Sequence, residues 1–209
     1  MKHEWRKEEK ALYLPPRKPV LIDVPKMKFI TVQGVGNPNE QPFSERVAVL
    51  YALSWTIRMM PKSGFSPDGY AEYTVYPLEG TWDLVSAWDD HTPLNKADLS
   101  YTVMIRQPDF VTPAVFAMAM EMAAKKKDVD ASRLQLARLE EITDGLSVQM
   151  MHHGPFDDEP ASFAQMKQLI EEQNLRRTGT SHREIYLSDP RKATPENMRT
   201  VLRYFVTGG

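Results

Sequence analysis

Strand, helix, strand, strand is written into this sequence twice. Residues 27–35 (MKFITVQGV) alternate apolar with polar positions and are rich in β-formers, which predicts a strand. Gly36-Asn37-Pro38-Asn39 is turn chemistry. Across 44–60, Val47, Leu50, Tyr51, Ser54 and Ile57 recur at helical spacing on one face, and Pro61 stops the helix. Residues 70–78 (YAEYTVYPL) and 99–107 (LSYTVMIRQ) supply the second and third strands. Then the order restarts. A strand over 146–153 (LSVQMMHH) is followed by a helix over 162–173 with Phe163, Met166, Leu169 and Ile170 inward. Strands over 181–188 and 199–206 (RTVLRYFV) close the second round. The local chemistry echoes too: Gly36, then Pro42-Phe43 entering a helix, matches Gly154, then Pro160 and Phe163 entering a helix.

Such a repeat predicts an α+β fold of two β-α-β-β units related by pseudo-twofold symmetry. Antiparallel sheets would each carry helices on one face, and a ligand cleft would lie between the repeats. Residues 1–26 are charged and then carry Pro15, Pro16, Pro19 and Pro25, so an extended N-terminal arm anchored by Trp5, Leu12 and Tyr13 is expected. Residues 27–209 then form one domain, made of repeat one (27–111), linking helices (112–143) and repeat two (144–209). Thr112 caps and Pro113 opens the first linking helix.

Composition narrows the function. The 209 residues carry a net charge of −2, so no basic field draws nucleic acid, and direct nucleic-acid binding is not expected. Without cysteine, disulfides, thiolate nucleophiles and Cys-ligated zinc are excluded. The charged start of the chain has no apolar segment of a signal peptide, and no apolar run approaches the ~20 residues of a membrane span. A soluble, cytoplasmic protein with no membrane partner is expected.

The candidate site is the strand His182-Arg183-Glu184-Ile185-Tyr186-Leu187-Ser188, running into the turn at Asp189-Pro190. Alternation puts Ile185 and Leu187 on one face, suited to packing on a helix, and His182, Glu184, Tyr186 and Ser188 on the other. That second face is expected to be the bare one, with an acid and an aromatic side by side as the floor of a groove. Metal is not expected: His152 and His153 point to opposite faces, and only one of them can join His182 and Glu184. The acidic turn Asp157-Asp158-Glu159 has the wrong spacing for a calcium loop and reads as helix N-terminal charge. Trp82 and Trp88 each fit a core plug or a loop anchor as readily as a ligand contact.

Five segments together resemble a known family. They are Gly34-Val35-Gly36-Asn37-Pro38, Tyr73 to Trp82 (YTVYPLEGTW), Ile105 to Phe110 (IRQPDF), His153 to Pro160 (HGPFDDEP), and His182 to Lys192 (HREIYLSDPRK). They look like the stand-alone GyrI-like small-molecule-binding proteins, and the resemblance spans nearly the whole chain. It implies duplicated SHS2-type modules and a lipophilic aromatic small molecule as partner. It also implies, from stand-alone members similar to this one, cofactor-independent hydrolysis of cyclopropane-bearing DNA-alkylating toxins. By motif position, Glu184 is the carboxylate and Trp82 the indole of such a catalytic site. Tyr186, Tyr101, Tyr76, Met104 and Phe110 are expected to bind the ligand. With no helix-turn-helix module in front, an activator role is not expected.

In that chemistry Glu184 activates a water, and Tyr186 O–H, Tyr101 O–H or Trp82 N–H donates to the oxyanion formed as the strained ring opens. The same residues would serve a non-catalytic drug-sequestering protein, with Glu184 and aromatic faces holding a cation. A gyrase-interacting role is the third alternative. Sequence leaves all three open.

Overall fold

The computed structural model describes residues 2–85, 95–189 and 192–209; Trp88 and Pro190 lie outside the described residues. Two single helical turns, α1 (Trp5–Glu8) and α2 (Lys10–Tyr13), precede β1 (Val20–Val35). There follow α3 (Gln41–Met59), β2 (Leu78–Leu84), β3 (Leu99–Gln107), α4 (Pro113–Ala124) and α5 (Ala131–Leu134). β4 (Arg138–His153), α6 (Glu159–Glu172), β5 (Leu175–Arg177), β6 (His182–Tyr186) and β7 (Arg199–Gly208) complete a mixed α+β chain. In the first half β1, α3 and β3 stand where the sequence pattern predicts them while the second strand falls later, at β2; in the second half β4–α6–β6–β7 follow the predicted order, with the short β5 added.

Three local departures have physical causes. Where the prolines suggest an extended arm, residues 5–13 coil into α1 and α2, because Trp5 and Tyr13 bury against each other with ring centroids 5.1 Å apart. β1 begins at Val20 and runs through Pro25, which a strand tolerates wherever no ladder N–H is needed. The strand expected over 70–78 is not formed; Tyr73 makes only an isolated bridge to His3, and β2 starts at Leu78. Tyr70, Tyr73 and Tyr76 recur every third residue, not every second, and Pro77 has no N–H to give a ladder.

The chain divides into two compact units. The first comprises Met1–Glu4, Met27–Leu78 and Leu84–Ile142. In it β1 pairs antiparallel with β3, from Lys28 opposite Gln107 to Val35 opposite Ser100. Helix α3 packs on β3 and α4 and buries Leu50, Leu53 and Ile57 completely, each worth about 1.5–3 kcal/mol of apolar burial. A polar seam runs there: the Gln107 amide donates to Ser54 Oγ and to the Ile105 carbonyl, each at 3.0 Å. Thr112 caps α4, its hydroxyl accepting from Val115 N–H at 3.3 Å.

The second unit comprises Trp5–Lys26, Glu79–Asp83 and Thr143–Gly209. Strand β7 is its spine, pairing antiparallel with β4, β5 and β6. Met166 and Ile170 of α6 bury against Val148, Met150, Leu202, Tyr204 and Val206 of the sheet. Asn174 ends the helix in the left-handed region at φ 50°, a conformation its short polar side chain tolerates.

Candidate active site

Strand β6 carries the site, and its register decides which face the site uses. Glu184 lies opposite Leu202 on β7 and so shares the face on which Leu202 packs against α6. The expectation that Glu184 and Tyr186 face away from the helix is therefore overturned. Arg183 and Ile185 take the other face, and Arg183 is buried there because Asp144 meets it. An apolar count misses this, since the charge that marks a surface residue is neutralised within the fold.

On the α6 face three side chains form a directed chain. Indole N–H is donor only, so Trp82 Nε1 donates to the Tyr186 hydroxyl at 2.7 Å. That hydroxyl spends its own proton on Glu184 Oε2 at 2.8 Å. His182 Nε2 lies 2.9 Å from the other oxygen, Oε1, and against a carboxylate the nitrogen is the donor. The imidazole is held edge-on by Phe163 of α6 at 4.9 Å between centroids. Phe156 packs edge-on to Tyr186 at 5.9 Å. Burial, then the Glu184 charge, pushes the Tyr186 phenol well up, so it stays a donor. Trp82 and Glu184 are buried, while Tyr186 and His182 keep partial exposure.

Gly80 makes room for this contact. A Cβ there would lie 2.8 Å from Trp82 Nε1 and 3.3 Å from the Tyr186 hydroxyl, where only hydrogen fits.

A second carboxyl belongs to the same place and was missed from sequence. Asp157 and Asp158 are exposed, as helix N-terminal charge should be, but Glu159 at the start of α6 is only 6% exposed. Its Oε1 has no hydrogen-bond partner among the described residues. Burial, then the charge of Glu184, then that of Asp157 push it up to about 9, so at neutral pH it is an uncharged acid. Gly154, at φ 127°, turns β4 toward α6 and so sets where Glu159 begins. Next to it His152 is fixed in one tautomer. Its Nε2 donates to the Pro155 carbonyl at 3.1 Å, leaving Nδ1 to accept from Ser162 O–H at 2.9 Å.

Behind the sheet lies a buried charge network. Arg183 and Arg203 stand directly opposite one another on β6 and β7, a repulsive pairing by itself. Asp144 bridges them, accepting from Arg183 Nε at 3.0 Å and from Arg203 Nη1 at 2.8 Å. Gln149 Oε1 accepts from Arg203 Nη2 at 2.9 Å, and the Gln149 amide donates to the Ala11 carbonyl at 2.6 Å. This network pins the register of β6, and with it the position of Glu184.

The remaining expected ligand residues all sit in the first unit. Tyr76 and Phe110 meet through Tyr73, at centroid distances of 6.5 and 6.0 Å, with Arg106 stacked 4.6 Å over Tyr76. Tyr101 packs edge-on to Phe43 at 5.1 Å and closes over Gly34. Met104 is buried on β3. Thus Glu184, Tyr186 and Trp82 are joined in one hydrogen-bonded chain, Tyr76 and Phe110 in one aromatic cluster, and Tyr101 and Met104 lie along β3. Among the described residues no group of three or more His, Asp or Glu side chains is placed to hold a metal ion, and no helix is long and apolar enough to cross a membrane.

The chain belongs to the GyrI-like family: the GyrI-like small molecule binding domain matches residues 17–204. It is similar to a hydrolase from Listeria innocua, at 42% identity and TM-score 0.87, covering 98% of this chain and 100% of that one. An uncharacterized conserved protein from Listeria innocua is similar at 43% identity and TM-score 0.90, over 98% and 100% of the two chains. The EcmrR C-terminal domain, at 12% identity, TM-score 0.52 and coverage of 92% and 98%, shares the fold alone. No curated protein matches the chain.

Proposed function

We propose that this protein is a cofactor-independent hydrolase of lipophilic, cyclopropane-bearing DNA-alkylating toxins, acting in the cytoplasm as a detoxifying or resistance protein. The doubled element order is read as a duplication of SHS2-type modules. The observation that carries the activity is the Glu184 carboxylate, buried yet adjoined by partly exposed Tyr186 and His182, with both oxygens oriented by fixed donors. Each oxygen keeps a lone pair beyond the bond it accepts, and a carboxylate held this way is positioned to take a proton from water. Similarity to a Listeria hydrolase across the full length of both chains supports hydrolysis over mere sequestration.

The substrate class explains why so few groups suffice. A cyclopropane conjugated to a carbonyl is already a strong electrophile. Glu184 removes a proton from water as the water oxygen bonds to the ring CH₂; the ring C–C bond breaks and its electron pair ends on the carbonyl oxygen as a phenolate. General-base assistance of this kind contributes about 10²–10⁴-fold. Tyr186 is assigned to holding the flat aromatic drug, and Trp82 to orienting Tyr186.

The test is incubation with a cyclopropane-fused dienone alkylator of the yatakemycin type, followed by mass spectrometry. Wild type should add water to the drug, and Glu184→Gln should slow that addition about 10²-fold or more. Intact drug beside wild-type protein, with thermal stabilisation by the drug, would replace the hydrolase by a sequestering protein.

A further inference from the structure

Opening the ring leaves an oxyanion, and the hydrogen-bond chain has already committed its donors. Trp82 N–H goes to Tyr186, and Tyr186 O–H goes to Glu184. A donor to the developing charge has to come from elsewhere in this unit. Glu159 is buried at the start of α6, its Oε1 has no hydrogen-bond partner among the described residues, and it is close enough to Glu184 and Tyr186 to act on both electrostatically.

We infer that Glu159 is the general acid of this site, delivering its proton to the oxygen that receives the ring electrons while Glu184 takes the proton of the attacking water. The inference rests on the hydrolase reading of Glu184. The step balances: one O–C bond forms, one C–C bond breaks, Glu159 becomes a carboxylate, Glu184 becomes a carboxylic acid, and the product is the phenol. Return of one proton from Glu184 to Glu159 through solvent resets the pair, with no oxidant, reductant or cofactor involved.

Two carboxyl groups whose surroundings push them apart are the usual basis for dividing acid from base. Here the division has a structural cause. Glu184 receives hydrogen bonds on both oxygens, whereas Glu159 Oε1 receives none. The groups facing Glu159 are Glu184 and Tyr186 from β6 and Asp157 from the turn before α6; one turn further along α6, Ser162 is bonded to His152 of β4. Glu184 and Asp157 favour the neutral acid, and the raised Tyr186 phenol holds its proton beyond the same pH range.

The experiment is the pH profile of kcat for wild type, Glu159→Gln, Glu159→Asp and Glu184→Gln on the same cyclopropane-fused dienone. It is paired with carboxyl ¹³C NMR titration of glutamate-labelled, substrate-free protein. Wild-type kcat should fall above about pH 9, where Glu159 loses its proton. Glu159→Gln keeps the shape and loses the transferable proton; its kcat should drop about 10²-fold and lose that alkaline limb. Glu159→Asp, a shorter acid, should keep the limb at reduced kcat. In the NMR titration one carboxyl should titrate near pH 9 in wild type and vanish in Glu159→Gln. If wild type hydrolyses, Glu184→Gln does not, and Glu159→Gln matches wild type in kcat and alkaline limb, Glu159 is no acid while the hydrolase reading stands. If wild type leaves the drug intact, both fall together.

Discussion

The Tyr186 hydroxyl donates to Glu184 Oε2 at 2.8 Å while accepting the indole N–H of Trp82 at 2.7 Å, so the phenol is locked between a donor and an acceptor. Such a chain acts as a unit. Tyr186→Phe removes the middle link, leaving the Trp82 N–H without its acceptor and Glu184 with one donor fewer. Stability should fall by about 1–3 kcal/mol, and hydrolysis should fall at least 10-fold, because the carboxylate loses its fixed orientation. Trp82→Phe should cost less. A double-mutant cycle of the two should show coupling of about 0.5–3 kcal/mol; additive effects would mean that the chain does not work as one element.

Asp144 holds two guanidiniums that would otherwise repel across the β6–β7 ladder. Burial pushes its carboxyl up, but Arg183 and Arg203 together more than offset this, and the net shift is down. A depressed acid contributes stability above its unfolded pKa, and that contribution is lost as pH falls through the lower folded value. Asp144→Asn should therefore destabilise the protein by about 3–5 kcal/mol at pH 7, measured by urea unfolding. The deficit should shrink as wild type is taken to acid pH. A deficit independent of pH would point to lost packing.

The two sides of β6 show what sequence does and does not reveal. Alternation alone groups His182, Glu184 and Tyr186, and the structure joins those three by hydrogen bonds. Which face meets the helix was not readable, because Arg183 looks like a surface residue until Asp144, 39 positions earlier, neutralises it. Glu159 was hidden for a similar reason. An acid at a helix start is ordinarily solvated and favoured by the helix dipole, and nothing local shows that Glu184 lies close by. The strand expected over residues 70–78 failed because β-propensity is a statement about surroundings: its tyrosines pack on Phe110, His3 and one another and not across a ladder.

Glu159 makes a stability prediction that needs no substrate. Its folded-state pKa, about 9, is raised above the ordinary 4.5, so the folded protein holds a proton that the unfolded chain releases. Stability from this group is full below the ordinary value and is lost progressively as pH climbs toward about 9. Glu159→Gln removes that penalty. The variant should be more stable than wild type by on the order of 5 kcal/mol at pH 8, with the two converging near pH 4. Thermal melts across pH 4–9 measure this, and a variant less stable at pH 8 would mean that Glu159 is charged in the fold.

Gly80 separates the site's geometry from its stability. Its backbone does not require glycine, as its φ lies outside the left-handed region; the constraint is space alone. A methyl group placed 2.8 Å from Trp82 Nε1 must displace the indole, and the Tyr186 hydroxyl at 3.3 Å is crowded as well. Gly80→Ala should break the Trp82–Tyr186 hydrogen bond and let the phenol swing away from Glu184. Overpacking of this kind costs about 1–3 kcal/mol. Activity should fall in step with Tyr186→Phe, at least 10-fold, and adding Gly80→Ala to Tyr186→Phe should cost little further activity. The Trp82 share of the fluorescence, taken as the difference from a Trp82→Phe background, reads the displacement: it should shift in Gly80→Ala relative to wild type. An unshifted spectrum with wild-type turnover would show that the indole accommodates the methyl without leaving Tyr186, and that its contact with Tyr186 is not set by Gly80.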